Sequence, residues 1–293
     1  MDVGMALPTM AQGFTRATFT EWCRGIDEGP FSSISAGERI TFHNPELLVT
    51  NTAAAALTER VQVIMNLTVL PLHSTAMLAK QLATLDVLAE GRLAVGVGVG
   101  GREQDFRAIG VSFEGRHARL DEGVAELKRL WGGAPAYDGG EPVGPAPFRK
   151  GGPTVLAGAL GPKAMARAAR WADGVTGFSI GAVRDEMAGT NRMALDAWEA
   201  AGRIERPRLV NGSFFLLGGD DAAGELKRFA RAYLAVFGER AAHALSELVE
   251  LSSPARVCQA IADAEAAGCD EFILVPGTVD PRCLEQAITA LED

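Results

Sequence analysis

Glu38 and Arg39 stand side by side in Ala36-Gly-Glu-Arg39, at the end of an alternating run that begins at Phe31. A carboxylate in such a place has the chemistry of a general acid or base, and the guanidinium beside it either holds it ionised or receives an anionic substrate. A plain surface salt bridge is the competing explanation. His43 and His73, each close to the end of an apolar run, are further candidates for proton transfer, set against the structural role that lone histidines commonly have. Two other stretches offer backbone rather than side chains. Gly96-Val-Gly-Val-Gly-Gly101 bares the chain at alternate positions, Gly98 and Gly100 among them, which permits either tight packing or close approach by something flat or phosphorylated. Gly158-Ala-Leu-Gly-Pro-Lys163 ends a strand-like run in small residues and opens a helix with Gly161-Pro162. A turn of this kind presents free N–H groups and the positive end of a helix to an anion, Lys163 adding a point charge; an ordinary αβ turn is the alternative.

Other chemistries find little support. The run from Gly96 to Gly101 fits GxGxxG, but a dinucleotide fold needs it in the first βαβ unit with an acidic residue ending a strand about 20 residues on. Here it follows the fourth strand-like run, and Asp121 and Glu122 lie inside a helical pattern. Four histidines without HxH or HExxH spacing argue against a metal centre, and no GxSxG elbow occurs. A formal charge of -9 disfavours nucleic acid as a partner. Cys23, Cys258, Cys269 and Cys283 form no CxxC and read as free thiols of a cytoplasmic protein. The segment Met1–Met10 has no basic region before a long apolar run, and no stretch reaches the ~18 apolar residues of a membrane span.

The elements that must position these residues follow from periodicity and punctuation. Strand-like runs cover Val3–Leu7, Phe31–Ala36, Arg60–Leu70, Arg92–Val99, Thr154–Ala157, Gly174–Phe178, Arg208–Leu217 and Glu271–Val275. Between them lie helical patterns: Thr15–Glu28; a helix capped by Asn44-Pro45; Leu78–Ala89, closed by Gly91; and Leu120–Trp131. Beyond these come Pro162–Trp171, Ala182–Ala201, a helical region over Asp220–Leu251, and helices opened by Ser253-Pro254 and Asp280-Pro281. A glycine- and proline-rich surface connection spans Gly132–Gly152. Eight alternating units predict a single-domain (β/α)8 TIM barrel over residues 1–293, its strands apolar throughout because both faces are buried. In that fold the ligand site lies at the C-terminal ends of the strands, which selects Thr9 and Met10, Gly37–Arg39, Asn66–Pro71, Gly96–Glu103, Gly158–Lys163, Phe178 and Ser179, Gly218, and Pro276 and Gly277.

Several of these runs resemble the luciferase-like monooxygenase family, including its coenzyme F420-dependent branch. They are LAKQLATLD and GRLAVGVGVG, the Ile109-Gly110 and Phe113…Arg116 elements, LDEGVAELKRLW, ARAARWADGVTG and VQVIMNLTVLP. The resemblance implies a flavin-type cofactor and redox chemistry. It places a non-proline cis peptide and bulge at Asn66 and Leu67, behind the cofactor ring, although Asn stands where Gly or Ser is more usual. It gives the cofactor phosphate to the turn of Gly158, Ala159, Gly161 and Pro162, with Lys163, and an acidic residue near the ring to Glu38, with Glu-Arg replacing an Asp-His form. Asp86, Arg92, Arg116 and Glu122 are characteristic of the family too, and read as charges that pair to fix helices to strands.

The expectation is hydride transfer between F420 and a small organic substrate, by an enzyme that pairs as a homodimer, with Ala53–Leu57 as one possible contact. An FMN-dependent monooxygenase and a non-catalytic flavin-binding barrel are the alternatives. The least family-like stretch, Asp220–Leu251, is a candidate part of a lid.

Overall fold

Prolines and glycines divide the chain where the periodicity changes, and the computed structural model, which describes residues 1–292, follows those divisions. β1 (Asp2–Ala6), α1 (Arg16–Glu28), β2 (Ser33–Ala36) and α2 (Leu47–Leu57) come first. β3 (Gln62–Val69), α3 (Thr75–Leu88) and β4 (Leu93–Gly98) lead into α4 (Glu103–Ile109) and α5 (Arg116–Trp131). β5 (Thr154–Ala157), α6 (Pro162–Ala168), β6 (Gly174–Thr176) and α7 (Arg184–Ala200) follow. The last quarter holds β7 (Arg208–Phe215), α8 (Ala222–Leu234), α9 (Glu239–Ser246), α10 (Pro254–Ala266), β8 (Glu271–Pro276) and α11 (Pro281–Glu292). Each strand pairs in parallel with the next and β8 returns to β1, closing the barrel. A closed sheet has no switch point for a dinucleotide, so the Rossmann alternative falls.

Burial on both faces explains the unbroken apolar strands: every residue of β2 and β4 is buried. Ala6, Ile64, Ala94, Leu156, Val210 and Ile273 pack together, one from each of six strands. A second, larger cluster includes Trp22, Leu82, Leu127 and Phe272 and joins strands to surrounding helices. At the N-terminal end of the strands the carboxyl of Glu271, fully buried, accepts from the Ser32 and Ser33 hydroxyls and pairs with Arg208 at 2.6 Å. This polar group is satisfied on all sides, as a buried charge must be.

The local signals hold in most places. Thr15 and Ser253 cap α1 and α10 with their side chains, and Gly91 takes φ +77° after α3. Asn44-Pro45 does not open α2. Glu46 does so instead, its Oε2 accepting from the Val49 N–H at 2.6 Å, because residues 41 and 43 are held across the barrel mouth by Asp105 and the Met10 carbonyl. The short α4 is an addition, with Glu103 and Asp105 in its first turn and Gly110 left-handed at its end. Arg92 and Asp86 do not pair. Arg92 donates to the Ala55, Thr58 and Val61 carbonyls, while Asp86 accepts from the Arg149 N–H. Glu122 is exposed. Of the run Ala53–Leu57, Ala54 and Ala55 are buried in the barrel's own shell and Leu57 is exposed. All four cysteines are free, and only Cys258 is exposed. No helix among the described residues is long and apolar enough to cross a membrane.

Candidate active site at the mouth of the barrel

β3 loses register with β4 at one point. Met65 faces Val95 and Thr68 faces Val97, so the stretch through Asn66 and Leu67 carries one residue more than its partner, which is a β-bulge. The Asn66–Leu67 peptide is cis. Leu67 turns toward the glycine-rich strand ends. A Cβ on Gly98 would stand 2.9 Å from Leu67 Cδ1, one on Gly158 would collide with Leu67 Cδ2, and one on Gly96 would lie 2.7 Å from the Met65 carbonyl oxygen. Gly100 adopts φ +69° and has Val69 where its side chain would go. The bulge therefore supplies a packing reason for these glycines, the first of the two explanations that the sequence left open. Asn66 Oδ1 accepts the Thr176 hydroxyl at 2.9 Å, which ties the bulge to β6 and gives the asparagine a local role.

The loop after β2 carries Glu38 into the same region. Its side chain is 3% exposed, Oε2 accepts from the Val69 N–H at 2.6 Å, and Oε1 lies 2.9 Å from His73 Nε2. The ion-pair partner of Glu38 is thus His73, and the expectation that Arg39 would hold it ionised is corrected. Burial pulls the His73 pKa down, but the hydrogen bond and charge of Glu38, with Glu46 further off, outweigh it and leave the imidazole above its ordinary 6.5. Arg39 turns the other way: Nη2 donates to the Tyr233 carbonyl at 2.8 Å, and the guanidinium lies over the rings of Tyr233 and Phe42.

Glu38, Arg39, Asn66, Leu67, Gly98, Gly100, Gly158 and Ala159 line one cavity of about 610 Å³ at the C-terminal ends of the strands. That volume falls within the about 300–1,000 Å³ usual for small-molecule sites. Leu160 also lines it, whereas Gly161, Pro162 and Lys163, at the start of α6, do not. His43 stands apart, in the wall of a neighbouring cavity of about 490 Å³, with Nε2 3.0 Å from the Met10 carbonyl oxygen.

Arg102, within the selected segment Gly96–Glu103 but without a role assigned to it, and Arg116, read from the sequence as a structural charge, both line the cavity. Arg102 pairs with Asp105 at 3.1 Å, and Arg116 donates to the Gly100 and Phe113 carbonyls. A basic residue soon after a glycine-rich strand end was the available signal. Phe214 of β7 joins Phe178, and Tyr233 and Phe237 come from the region Asp220–Leu251, so that stretch forms a wall of the cavity. Nothing in its sequence marks those two aromatics from core residues.

The model of the luciferase-like monooxygenase family matches residues 1–286. An uncharacterized protein of Mycobacterium tuberculosis (strain ATCC 25618 / H37Rv) is 33% identical over 171 residues, 54% of this chain and 57% of that protein. The match thus spans a little over half of that relative's length. Among solved structures, an F420-dependent secondary alcohol dehydrogenase in complex with an F420–acetone adduct superposes with TM-score 0.77 at 16% identity, covering 100% of both chains. The oxygenating constituent of 3,6-diketocamphane monooxygenase from Pseudomonas putida, in complex with FMN, gives TM-score 0.73 at 16% identity, covering 99% of this chain and 96% of its own. At such identities the likeness is one of fold.

Proposed function

The chain belongs to the luciferase-like monooxygenase family, and from that premise we propose that it is an oxidoreductase using coenzyme F420 to exchange a hydride with a small organic substrate in the barrel mouth. The observation that carries this reading is Glu38: a carboxylate in the wall of the cavity, backed by a histidine whose side chain is 24% exposed. Oxidation of an alcohol, or its reverse, moves a proton as well as a hydride. In this reading Glu38 would exchange that proton with the substrate oxygen, and His73 would pass it to solvent.

The bulge at Asn66 and Leu67 and the strand ends at Gly98, Gly100, Gly158 and Ala159, all in the cavity wall, would flank the ring, and the turn through Gly161, Pro162 and Lys163, beyond the cavity's lining, would hold its phosphate. Bound F420 supplies the carbon that gives or takes the hydride. The protein's own part is to orient the substrate, exclude water and manage the proton.

FMN with molecular oxygen is the second reading. Arg102 and Arg116, on the loop and helix after β4, line the cavity and offer a different place for a terminal phosphate. Parallel absorbance and fluorescence titrations of the protein with F420 and FMN test both. Micromolar binding of F420 alone supports the first, binding of FMN alone replaces it with the second, and binding of neither defeats both. The mass in solution of the same sample checks homodimer formation, for which Val49 and Leu57 provide exposed apolar surface on α2.

A further inference from the structure

Arg39 is buried to all but 8%, yet its charge meets no carboxylate: it takes part in no ion pair among the described residues. Nη2 is used by the Tyr233 carbonyl, the Tyr233 ring centroid lies 3.5 Å from Cζ, and the Phe42 centroid lies 4.7 Å away on the same guanidinium. Nη1 is enclosed and has no hydrogen-bond acceptor among the described residues. A guanidinium cannot escape this situation by losing its proton. Burial lowers its pKa, Tyr233 opposes that, and nearby Arg102 adds to it.

The rest of the cavity sharpens the point. Its charged wall residues are Arg39, Arg102 and Arg116 against Glu38 and Asp105. Glu38 is engaged by His73 and the Val69 N–H, and Asp105 by Arg102 and Thr41. Arg102 also reaches the Thr41 carbonyl, and Arg116 is spent on two carbonyls. Of the three arginines, Arg39 alone has an enclosed nitrogen without an acceptor among the described residues, in a chain whose formal charge is -9. Around it the wall is apolar and aromatic, with Phe178, Phe214 and Phe237.

We propose that the substrate is an amphipathic organic monocarboxylate, its carboxylate received by Arg39 and its apolar body lying against Phe178, Phe214 and Phe237. A buried donor of this charge can be met by a neutral oxygen, but a carboxylate gives it a charge-assisted hydrogen bond about twice as strong. Nη1 and Nε, which have no acceptor among the described residues, suit the singly charged head of a carboxylate. The assignment rests on the reading of this cavity as the substrate site beside the cofactor.

Octanoate and octanamide, matched in length and apolar area, test it by isothermal titration at about pH 8, where the acid is ionised. The wild-type protein, titrated alone and again with saturating cofactor, is expected to bind octanoate at least about tenfold more tightly than the amide. Arg39→Gln is expected to erase that preference while leaving cofactor affinity unchanged, and Arg39→Lys to keep part of it. Equal affinity for acid and amide in the wild type overturns the proposal, as does a preference that persists in Arg39→Gln. Should Arg39→Gln fail to fold by circular dichroism, the wild-type comparison decides alone. A preference for octanoate in a protein that binds neither F420 nor FMN leaves the anion site standing and removes the cofactor reading. Cofactor binding without the preference does the reverse.

Discussion

Replacing Glu38 by glutamine removes a charge that is 3% exposed and holds two partners, the Val69 N–H at 2.6 Å and His73 Nε2 at 2.9 Å. The amide can accept from one of them and turns a donor toward the other. The variant therefore loses a charge-assisted hydrogen bond, which costs about 1.5–3 kcal/mol. The cost depends on pH because His73 titrates above its ordinary 6.5 in the folded protein. A group whose folded pKa is raised contributes its stability in full below the unfolded value, and the contribution fades as pH rises through the folded one. Glu38→Gln is thus most damaging at about pH 5.5, and its penalty shrinks by about pH 8.5, where the variant also relieves a buried charge that has lost its cation. At the acid pH the loss corresponds to roughly 2–5 °C in Tm for a chain of this length. Urea unfolding of both proteins at several pH values, followed by tryptophan fluorescence, measures the difference without relying on thermal reversibility. A penalty that is flat with pH, or larger at the alkaline end, would refute the pairing of Glu38 with a protonated His73.

In the oxidative direction kcat/KM is expected to rise with pH through an apparent pKa above 6.5 belonging to the Glu38–His73 pair, and Glu38→Gln to lower kcat by about 10²–10⁴-fold; a pH profile of each protein checks this. Gly96→Ala drives a methyl group against the Met65 carbonyl oxygen, 2.7 Å away in rigid backbone, and should destabilise by about 1–3 kcal/mol in urea titrations. Gly158→Ala collides with the far end of the Leu67 side chain and only touches the Val97 carbonyl oxygen at 3.5 Å, so it should cost less stability and instead displace Leu67 and weaken cofactor binding, an effect that Leu67→Ala in the same chain relieves. Arg208→Met leaves fully buried Glu271 without its cation and should cost about 3–5 kcal/mol with unchanged cofactor affinity, as paired unfolding and cofactor titrations would show.

The fold was legible because barrel strands buried on both faces leave apolar runs that caps and prolines cut off sharply. β5 is Thr154–Ala157 in sequence and structure alike, and α10 begins at Pro254 behind its Ser253 cap. What failed were places where tertiary contacts choose among local options. Asn44-Pro45 has the better cap by type, but the preceding loop is tied across the barrel mouth, so the helix waits for Glu46. The seven residues of α4 are too few to show a period, although Gly110 marked their end.

The position of the site was legible for the same reason, since the barrel dictates that strand ends meet. The partners within it were not. Adjacency suggested that Arg39 serves Glu38, but in the loop after β2 each of the two residues finds its partners far along the chain. Glu38 meets His73, 35 residues on, and Arg39 meets Tyr233, 194 residues on. That divergence gives the cavity its character. Because a histidine answers the carboxylate, the proposed proton exchange and anion binding would not compete for one ion pair. Arg39 is left among Phe42, Tyr233 and the apolar wall, with an enclosed Nη1 that no acceptor among the described residues meets, which is what the proposed carboxylate would answer.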